Sequence, residues 1–197
     1  MESAALADNL DIRLGRRLKA MRTAAGLTLD ELAGRAGISR AMISRIERGE
    51  SSPTAALLGR LCAGLGISLA AVFADDRRSG DPLSRAAAQP VWRDPASGYL
   101  RRDVTPPGTG SPVEIVDVTF PPGADVRFDN PWTMRTIDQH VWVLDGELEL
   151  TVGAAAHRLA TGDCLHMRLD GPIRFRNTSG RPVRYAVVLT MTDRCLP

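Results

Sequence analysis

The fold of the N-terminal part is decided by residues 28–50, TLDELAGRAGISRAMISRIERGE. Apolar residues at helical spacing predict a helix that follows Thr28 and stops at Gly37. Thr28 and Glu31 have the T-x-x-E spacing of a capping box, in which each side chain bonds the backbone amide of the other residue. The buried face of this helix consists of Leu29, Leu32, Ala33 and Ala36. Because glycine readily ends a helix, Gly37 predicts a tight turn into the next one.

Ser39 is placed to cap a second helix over residues 40–48, which Gly49 ends. Its inward residues are Met42, Ile43 and Ile46, and its outward residues are Arg40, Ala41, Ser44 and Arg45. A recognition helix enters the major groove of DNA by its N-terminal end, and arginine can pair in bidentate fashion with guanine. This exposed face therefore indicates DNA binding.

Further helical patterns flank this pair. One covers residues 11–25, and two follow: one opened by Ser52 and Pro53 and ending near Gly64–Gly66, and one capped by Ser68 that buries Phe73. Five short helices with a tight turn between the second and third are typical of a helix-turn-helix domain. We predict that this all-α domain covers residues 9–74.

Charge is distributed unevenly along the 197 residues. Residues 9–74 carry ten basic and five acidic side chains, a net charge of +5, which leaves −3 for the rest of a chain whose total is +2. A basic N-terminal part is suited to a nucleic-acid partner.

Residues 26–54, GLTLDELAGRAGISRAMISRIERGESSPT, resemble the lambda-repressor-like (XRE-type) helix-turn-helix family, and nearly every position of its pattern matches. Many relatives have a shorter or amide side chain where this chain has Arg40. The resemblance implies binding to double-stranded DNA. The candidate DNA-binding residues are Arg16, Arg17, Thr28, Arg35, Ser39, Arg40, Ala41, Ser44, Arg45 and Arg48. The alternative is that the arginines form a solvated face and the domain mediates protein contacts. Glu47 is expected to form a salt bridge within the domain.

The pattern changes after a charged, proline-containing linker over residues 75–90. Apolar and polar residues then alternate between Pro/Gly turns, which predicts an all-β domain over residues 91–197. The predicted strands are residues 99–104, 113–120, 136–144, 147–152, 155–159, 164–167, 173–177 and 183–191. Many short strands at this spacing indicate a sandwich or small barrel.

The segment from HVWVLDGELELTVG to HRLATGDCLHMRLDGPIRFRNTSG, within residues 140–180, resembles the two-motif core of a cupin, a double-stranded jelly-roll barrel. Metal-binding cupins carry two histidines and a glutamate in the first motif and a histidine in the second. Here His140 falls at the glutamate position, no histidine lies near residues 134–136, and Arg174 falls at the second-motif histidine position. A divalent metal needs three or four converging ligands. We therefore expect no metal and no other cofactor.

A cupin without a metal can hold a small-molecule effector instead. If His140 points inward, the two-residue period of a strand places Trp142 on the same face. The candidate effector-binding residues are Phe128, Trp132, Arg135, His140, Trp142, His166 and Arg174. Arginine and histidine among tryptophans would suit an anionic or polar ligand. The alternative is a plugged barrel in which the tryptophans are core and Arg174 pairs with an acid such as Asp138.

The sequence also bears on the compartment. We find no signal peptide in residues 1–10, and the most apolar run, residues 61–73, is shorter than a membrane span and contains glycines. The three cysteines, Cys62, Cys164 and Cys195, have no ligand-like spacing, which favours reduced thiols in a cytoplasm.

Together these patterns predict a cytoplasmic transcriptional regulator with no enzymatic activity: a DNA-binding domain joined to a cupin domain that binds an effector and forms a homodimer on an operator. Two alternatives stay open. The chain could be a metal-dependent cupin enzyme fused to a DNA-binding domain, or an antitoxin-like module that binds another protein.

Overall fold

Five helices precede the strands in the part of the chain that a computed structural model describes, namely residues 2–67, 69–73, 80–129 and 135–193. They are α1 (Glu2–Ala24), α2 (Leu29–Ala36), α3 (Arg40–Glu47), α4 (Ala55–Leu65) and α5 (Leu69–Phe73). Helix α1 begins earlier than expected, since no proline or glycine interrupts the residues before Asp11. Ser68, which was expected to cap α5, lies outside the described residues.

The predicted caps of α2 and α3 are confirmed. The Thr28 hydroxyl accepts a hydrogen bond from the Glu31 amide at 3.1 Å, and the Thr28 amide donates to the Glu31 carboxylate at 2.8 Å. Ser39 Oγ accepts from the Met42 amide at 3.3 Å. Gly37, between the two helices, has a φ of 62°, a conformation that glycine adopts at little cost.

The cap predicted for α4 is wrong. Its N-cap is Thr54, whose hydroxyl accepts from the Leu57 amide at 3.3 Å, and Pro53 precedes the helix instead of opening it. Ser52 donates its hydroxyl hydrogen bond to the carboxylate of Asp11 on α1. The cap-then-proline pattern fitted Ser52, but a threonine after the proline satisfies the same rule two residues later.

Buried aliphatic side chains hold these helices together: Leu14, Leu18, Leu32, Ile43, Ile46, Leu58 and Leu61. Helices α1 and α3 approach closely at Gly15, where a Cβ atom would lie 2.2 Å from the Ile46 carbonyl oxygen. An ion pair joins the same two helices, because Arg22 Nε and Nη2 donate to the two carboxylate oxygens of Glu47 at 2.6 and 2.9 Å. The internal salt bridge expected for Glu47 is thus confirmed, and the hydrogen bond raises the pKa of Arg22.

A short 3₁₀ helix (Ala86–Ala88) in the linker is followed by ten strands within the described residues. They are β1 (Val91–Arg93), β2 (Leu100–Asp103), β3 (Val113–Phe120), β4 (Asp125–Phe128), β5 (Arg135–Asp145), β6 (Glu147–Val152), β7 (Ala155–Ala160), β8 (Cys164–Arg168), β9 (Ile173–Arg176) and β10 (Val183–Asp193). Strands β1 and β4 were not predicted. With three and four residues, they are too short for alternation to distinguish them from loops.

The strands form two antiparallel sheets with the orders β1-β2-β3-β10-β5-β8 and β4-β9-β6-β7. A series of aromatic rings links them, from Trp92 through Tyr99, Phe120 and Tyr185 to Phe175, with ring centroids 5.7 to 6.2 Å apart. The two sheets therefore share one hydrophobic core.

That core continues into the helices. The ring of Phe73 on α5 lies 5.4 Å from the ring of Trp92 on β1. The buried carboxylate of Asp94 accepts a hydrogen bond at 2.9 Å from the Ala55 amide in the first turn of α4. Gly59 of α4 faces Phe128 of β4 so closely that an added Cβ would lie 2.8 Å from the ring. Helix α4 thus packs on the helices and on the sheets at once.

We predict that Glu47→Ala lowers the free energy of unfolding by about 3–5 kcal/mol, because Arg22 would keep a buried charge without its partner. Urea denaturation followed by the helical circular dichroism signal measures this loss. The control is Glu50→Ala, which removes a carboxylate from an exposed pair with Arg48 and should change the midpoint little. Equal shifts for both variants would contradict this account of the α1–α3 contact.

Candidate DNA interface and candidate ligand cavity

Helix α3 presents its N-terminal half to solvent. Arg40, Ala41 and Arg45 are exposed, and Ser44 is half-buried. The cap by Ser39 leaves the first backbone amides of the helix at the same surface, where they can face a phosphate. Arg40 lies 3.6 Å from the exposed carboxylate of Asp30, a weak contact that DNA can replace. The residues predicted to read bases therefore share one accessible face.

The arginines that are candidates for phosphate contacts differ in their exposure and in their hydrogen bonds within the protein. Arg16 and Arg35 are exposed, whereas Arg17 is half-buried and its Nε donates to the Ala71 carbonyl of α5 at 2.9 Å. Arg48 donates to both carboxylate oxygens of Glu50, at 2.6 and 2.7 Å, and also to Ser44 Oγ. These hydrogen bonds lower the pKa of Glu50. Arg17 and Arg48 thus have structural partners that sequence reasoning did not foresee.

A cavity of about 110 Å³ lies between the two sheets and helix α4. Gly59, Cys62 and Ala63 of α4 form one wall. The rest of the lining is mostly apolar: Ile67, Leu69, Val118, Phe120, Val126, Phe128, Ile137, Leu169, Ile173, Phe175, Val187 and Leu189. The helical domain therefore forms part of the wall of this cavity.

The polar residues in the lining are Arg101, Gln139, Tyr99 and Tyr185, all of them buried. Burial raises the pKa of Tyr99, of Tyr185 and of the Cys62 thiol, the last to about 12, and the positive charge of Arg101 opposes the rise at all three. These groups therefore lie within the electrostatic reach of one guanidinium.

The predicted effector residues on β5 do not point into this cavity. Ile137, Gln139, Val141 and Val143 are the buried residues of β5, whereas His140 is exposed and Trp142 is 49% exposed on the outer face. The expectation that His140 points inward was carried over from a metal-ligand position. A shift of one residue moves every side chain of a strand to the other face.

The other candidate effector residues are placed as follows. His166, on β8, faces outward opposite His140, with ring centroids 4.8 Å apart and its Nε2 3.2 Å from Asp138. Arg174 is exposed and paired with Asp125, not with Asp138 as the plugged-barrel alternative supposed. Phe128 does line the cavity. Trp132 and the side chain of Arg135 lie outside the description.

Sequence reasoning missed Arg101, Gln139, Tyr99 and Tyr185. One signal was available: in residues 137–143, IDQHVWV, the alternate set Ile-Gln-Val-Val is the more apolar and predicts the buried face. Arg101 had no such signal, because a charged residue between Leu100 and Arg102 is usually expected in solvent.

Metal ligands do not gather in the described part of the chain. No group of three His, Cys, Asp or Glu side chains is positioned there to hold an ion. The cavity lining contains no histidine, and His140 and His166 are on the outer surface. These residues do not fit the ligand set of a metal-binding cupin.

The fold and its exposed helix define the class: a helix-turn-helix domain joined to a cupin domain. The helix-turn-helix family model matches residues 18–72 and the cupin model matches residues 116–189. The chain therefore has a helix-turn-helix domain and a C-terminal cupin domain, and it is a DNA-binding transcriptional regulator.

The chain is similar to named transcriptional regulators over most of their length. The chain is 28% identical to the HTH-type transcriptional regulator SutR of Escherichia coli K12, with 90% of this chain and 94% of SutR covered. It is 24% identical to the regulator PuuR of the same organism, with 84% and 88% covered. A crystal structure of an HTH_3 family transcriptional regulator from Vibrio cholerae, 24% identical, matches 93% of this chain and 98% of that chain with a TM-score of 0.75. No helix in the described part of the chain has the length and apolarity that crossing a bilayer requires.

We predict that Arg45→Ala lowers specific operator affinity about 10- to 100-fold, since a bidentate arginine–guanine pair contributes about 1–3 kcal/mol of discrimination. Fluorescence anisotropy at one fixed salt concentration measures this, with a scrambled duplex beside the operator. The matched control is Arg158→Ala, an exposed arginine on β7. Equal losses on operator and scrambled DNA would show that Arg45 contacts phosphate and not base.

Proposed function

We propose that the regulator binds a pseudo-palindromic operator as a homodimer, and that a small molecule in the cavity of its cupin domain changes its affinity for DNA. We further propose that the two sheets are the halves of a jelly roll, that the protein works in the cytoplasm, and that it catalyses no reaction. The observation that carries the proposal is the contact of helix α4 with both the cavity and the helix-turn-helix.

The DNA-binding part of the proposal rests on α3. Its exposed arginines, Arg40 and Arg45, lie on the face that a recognition helix turns toward the major groove. Arg16 and Arg35 supply further exposed positive charge for phosphates.

The homodimer is supported by the outer face of the six-stranded sheet. Ile115, Val188, His140 and His166 are consecutive cross-strand neighbours on this face, and Trp142 lies beside them. Trp142 is 49% exposed and Ile115 38%, so that two large apolar side chains are exposed on the same face of one sheet. A two-fold axis through this face would cover the patch with its own copy, and it would hold two recognition helices at a fixed spacing.

The absence of catalysis is an inference from the residues present. The positions that hold metal in other cupins contain Arg174 and an outward His140, and the cavity lining is mostly apolar and has no histidine. Elemental analysis of protein purified without added metal tests this inference, and stoichiometric iron, nickel, manganese or zinc would contradict it.

The experiment that tests the function uses a duplex taken from the region upstream of the gene for this protein. We expect DNase protection over two half-sites whose centres are about one or more helical turns apart. The logarithm of the affinity should fall linearly with the logarithm of salt concentration. Uniform protection at every sequence, without half-sites, would contradict operator recognition.

For the dimer, we predict that Trp142→Asp converts the protein to a monomer and weakens operator binding. The substitution replaces the largest apolar side chain of the patch with a charge that the contact would bury, at a cost of several kcal/mol. Sedimentation equilibrium measures the mass. The control is Leu83→Asp, a charge placed at another exposed apolar residue outside the sheets, which should leave the dimer intact. A Trp142→Asp dimer of unchanged stability would place the interface elsewhere.

A further inference from the structure

The Arg101 side chain is buried at the cavity with part of its hydrogen-bonding capacity unused. The residue is 5% exposed, and neither Nε nor Nη2 donates a hydrogen bond to any group in the described part of the chain. Asp103 Oδ1 lies 3.2 Å from Nη2, yet it too is without a hydrogen bond there. The guanidinium lies 5.6 Å from the centre of the Phe73 ring.

A buried guanidinium whose donors are unmet is costly, and a ligand that supplies acceptors removes the cost. A carboxylate fits this need, because its two oxygens match the fork of a guanidinium in bidentate geometry. It also brings a single negative charge, and because Asp103 already lies 3.2 Å from Nη2, a doubly charged phosphate would be repelled more strongly. The hydroxyls of Tyr99 and Tyr185 and the amide of Gln139 are additional polar groups around the same cavity.

The rest of the cavity requires an apolar ligand of limited size. A dry protein cavity of about 150 Å³ holds benzene, and the present cavity, at about 110 Å³, is somewhat smaller. Aliphatic and aromatic side chains cover most of its wall, including Val126, Val187 and Leu189. A short hydrocarbon tail fills such a space, and a sugar or nucleotide does not.

We propose that the cavity binds a short-chain apolar carboxylate, with its carboxylate on Arg101 and its tail against helix α4 of the DNA-binding domain. This inference rests on the proposed function, in which an effector binds the cavity. It adds the chemical class of the ligand and the helix that contacts it.

Helix α4 connects the cavity to the helix-turn-helix, so that a ligand bound in the cavity can affect the recognition helix. Its cavity wall consists of Gly59, Cys62 and Ala63. Between these residues, Arg60 points to the helix-turn-helix and donates to the Gly37 carbonyl at 3.1 Å, in the turn that joins α2 to α3. One turn further along, Gly64 packs so closely on α2 that an added Cβ would lie 3.0 Å from Leu32 and 3.3 Å from Ala36. A tail that displaces α4 therefore also displaces the support of the recognition helix.

The test is isothermal titration of the full-length protein with butanoate, pentanoate and hexanoate, and with the amide and alcohol of each chain length. We expect saturable binding of at least one carboxylate and at least tenfold weaker binding of its neutral isosteres. Binding of neutral or cationic compounds in preference to carboxylates would overturn the carboxylate assignment while leaving effector binding in place. If neither these acids nor a broad compound screen gives binding, effector binding itself fails.

Two substitutions separate an anchoring role of Arg101 from a structural one. Arg101→Gln should weaken carboxylate binding at least tenfold. Asp103→Asn breaks the same ion pair but keeps the anchor and removes a competing negative charge, so it should leave affinity unchanged or raise it. Equal losses in the two variants would overturn the anchoring role. The double variant Arg101→Gln/Asp103→Asn leaves no unpaired charge, and it repeats the test if the single variant does not fold.

The contact with α4 is tested on that helix. Ala63→Leu extends a side chain into the cavity and should weaken ligand binding and abolish the ligand-dependent change in operator affinity. Ala56→Leu makes the same change on the exposed face of α4 and should leave both unchanged. Full ligand affinity in Ala63→Leu would show that the tail does not reach α4.

Discussion

The architecture depends on one helix, α4, that packs on both the helical domain and the β domain. Helix α4 packs on α2 through Gly64, and on the β domain through Gly59, which faces Phe128. Its first turn is held from the β domain, since the buried Asp94 carboxylate accepts the Ala55 amide. A carboxylate at this end also interacts favourably with the helix dipole. Gly59 and Gly64 are thus required by close approach on the two sides of α4, and a larger residue at either position would push the helix away from its neighbour.

The helical part could be predicted from sequence because its signals are local. Thr28 with Glu31 and Ser39 with Met42 are three residues apart, and the glycines that end α2 and α4 adopt the left-handed conformation that their positions require. Even here the cap of α4 was misplaced by two residues, because Ser52 and Thr54 satisfy the same local rule. Only the contact of Ser52 with Asp11, 41 residues away, distinguishes them.

The cavity could not be predicted in the same way. Most of the strands were found from alternation, but the buried face of β5 was assigned from a metal-ligand position of the family and not from the more apolar alternate set in residues 137–143. Taking His140 as inward reversed that face, and with it the expected environment of Trp142. Arg101 is hidden from sequence reasoning for another reason: the groups beside its guanidinium are Asp103 and the ring of Phe73, and Phe73 lies in the other domain. A pattern within one strand holds no information about such partners.

A shared core has a thermodynamic consequence for regulation. If a ligand changes the affinity for DNA by some factor, DNA must change the affinity for the ligand by the same factor, because the coupling between two binding sites is reciprocal. Couplings between sites are typically about 1–3 kcal/mol. The short path from the cavity through Arg60 to the Gly37 carbonyl therefore needs no hinge or large rotation. A regulator built in this way can change its affinity for DNA within one protomer. In a dimer on two half-sites, the change would occur at both.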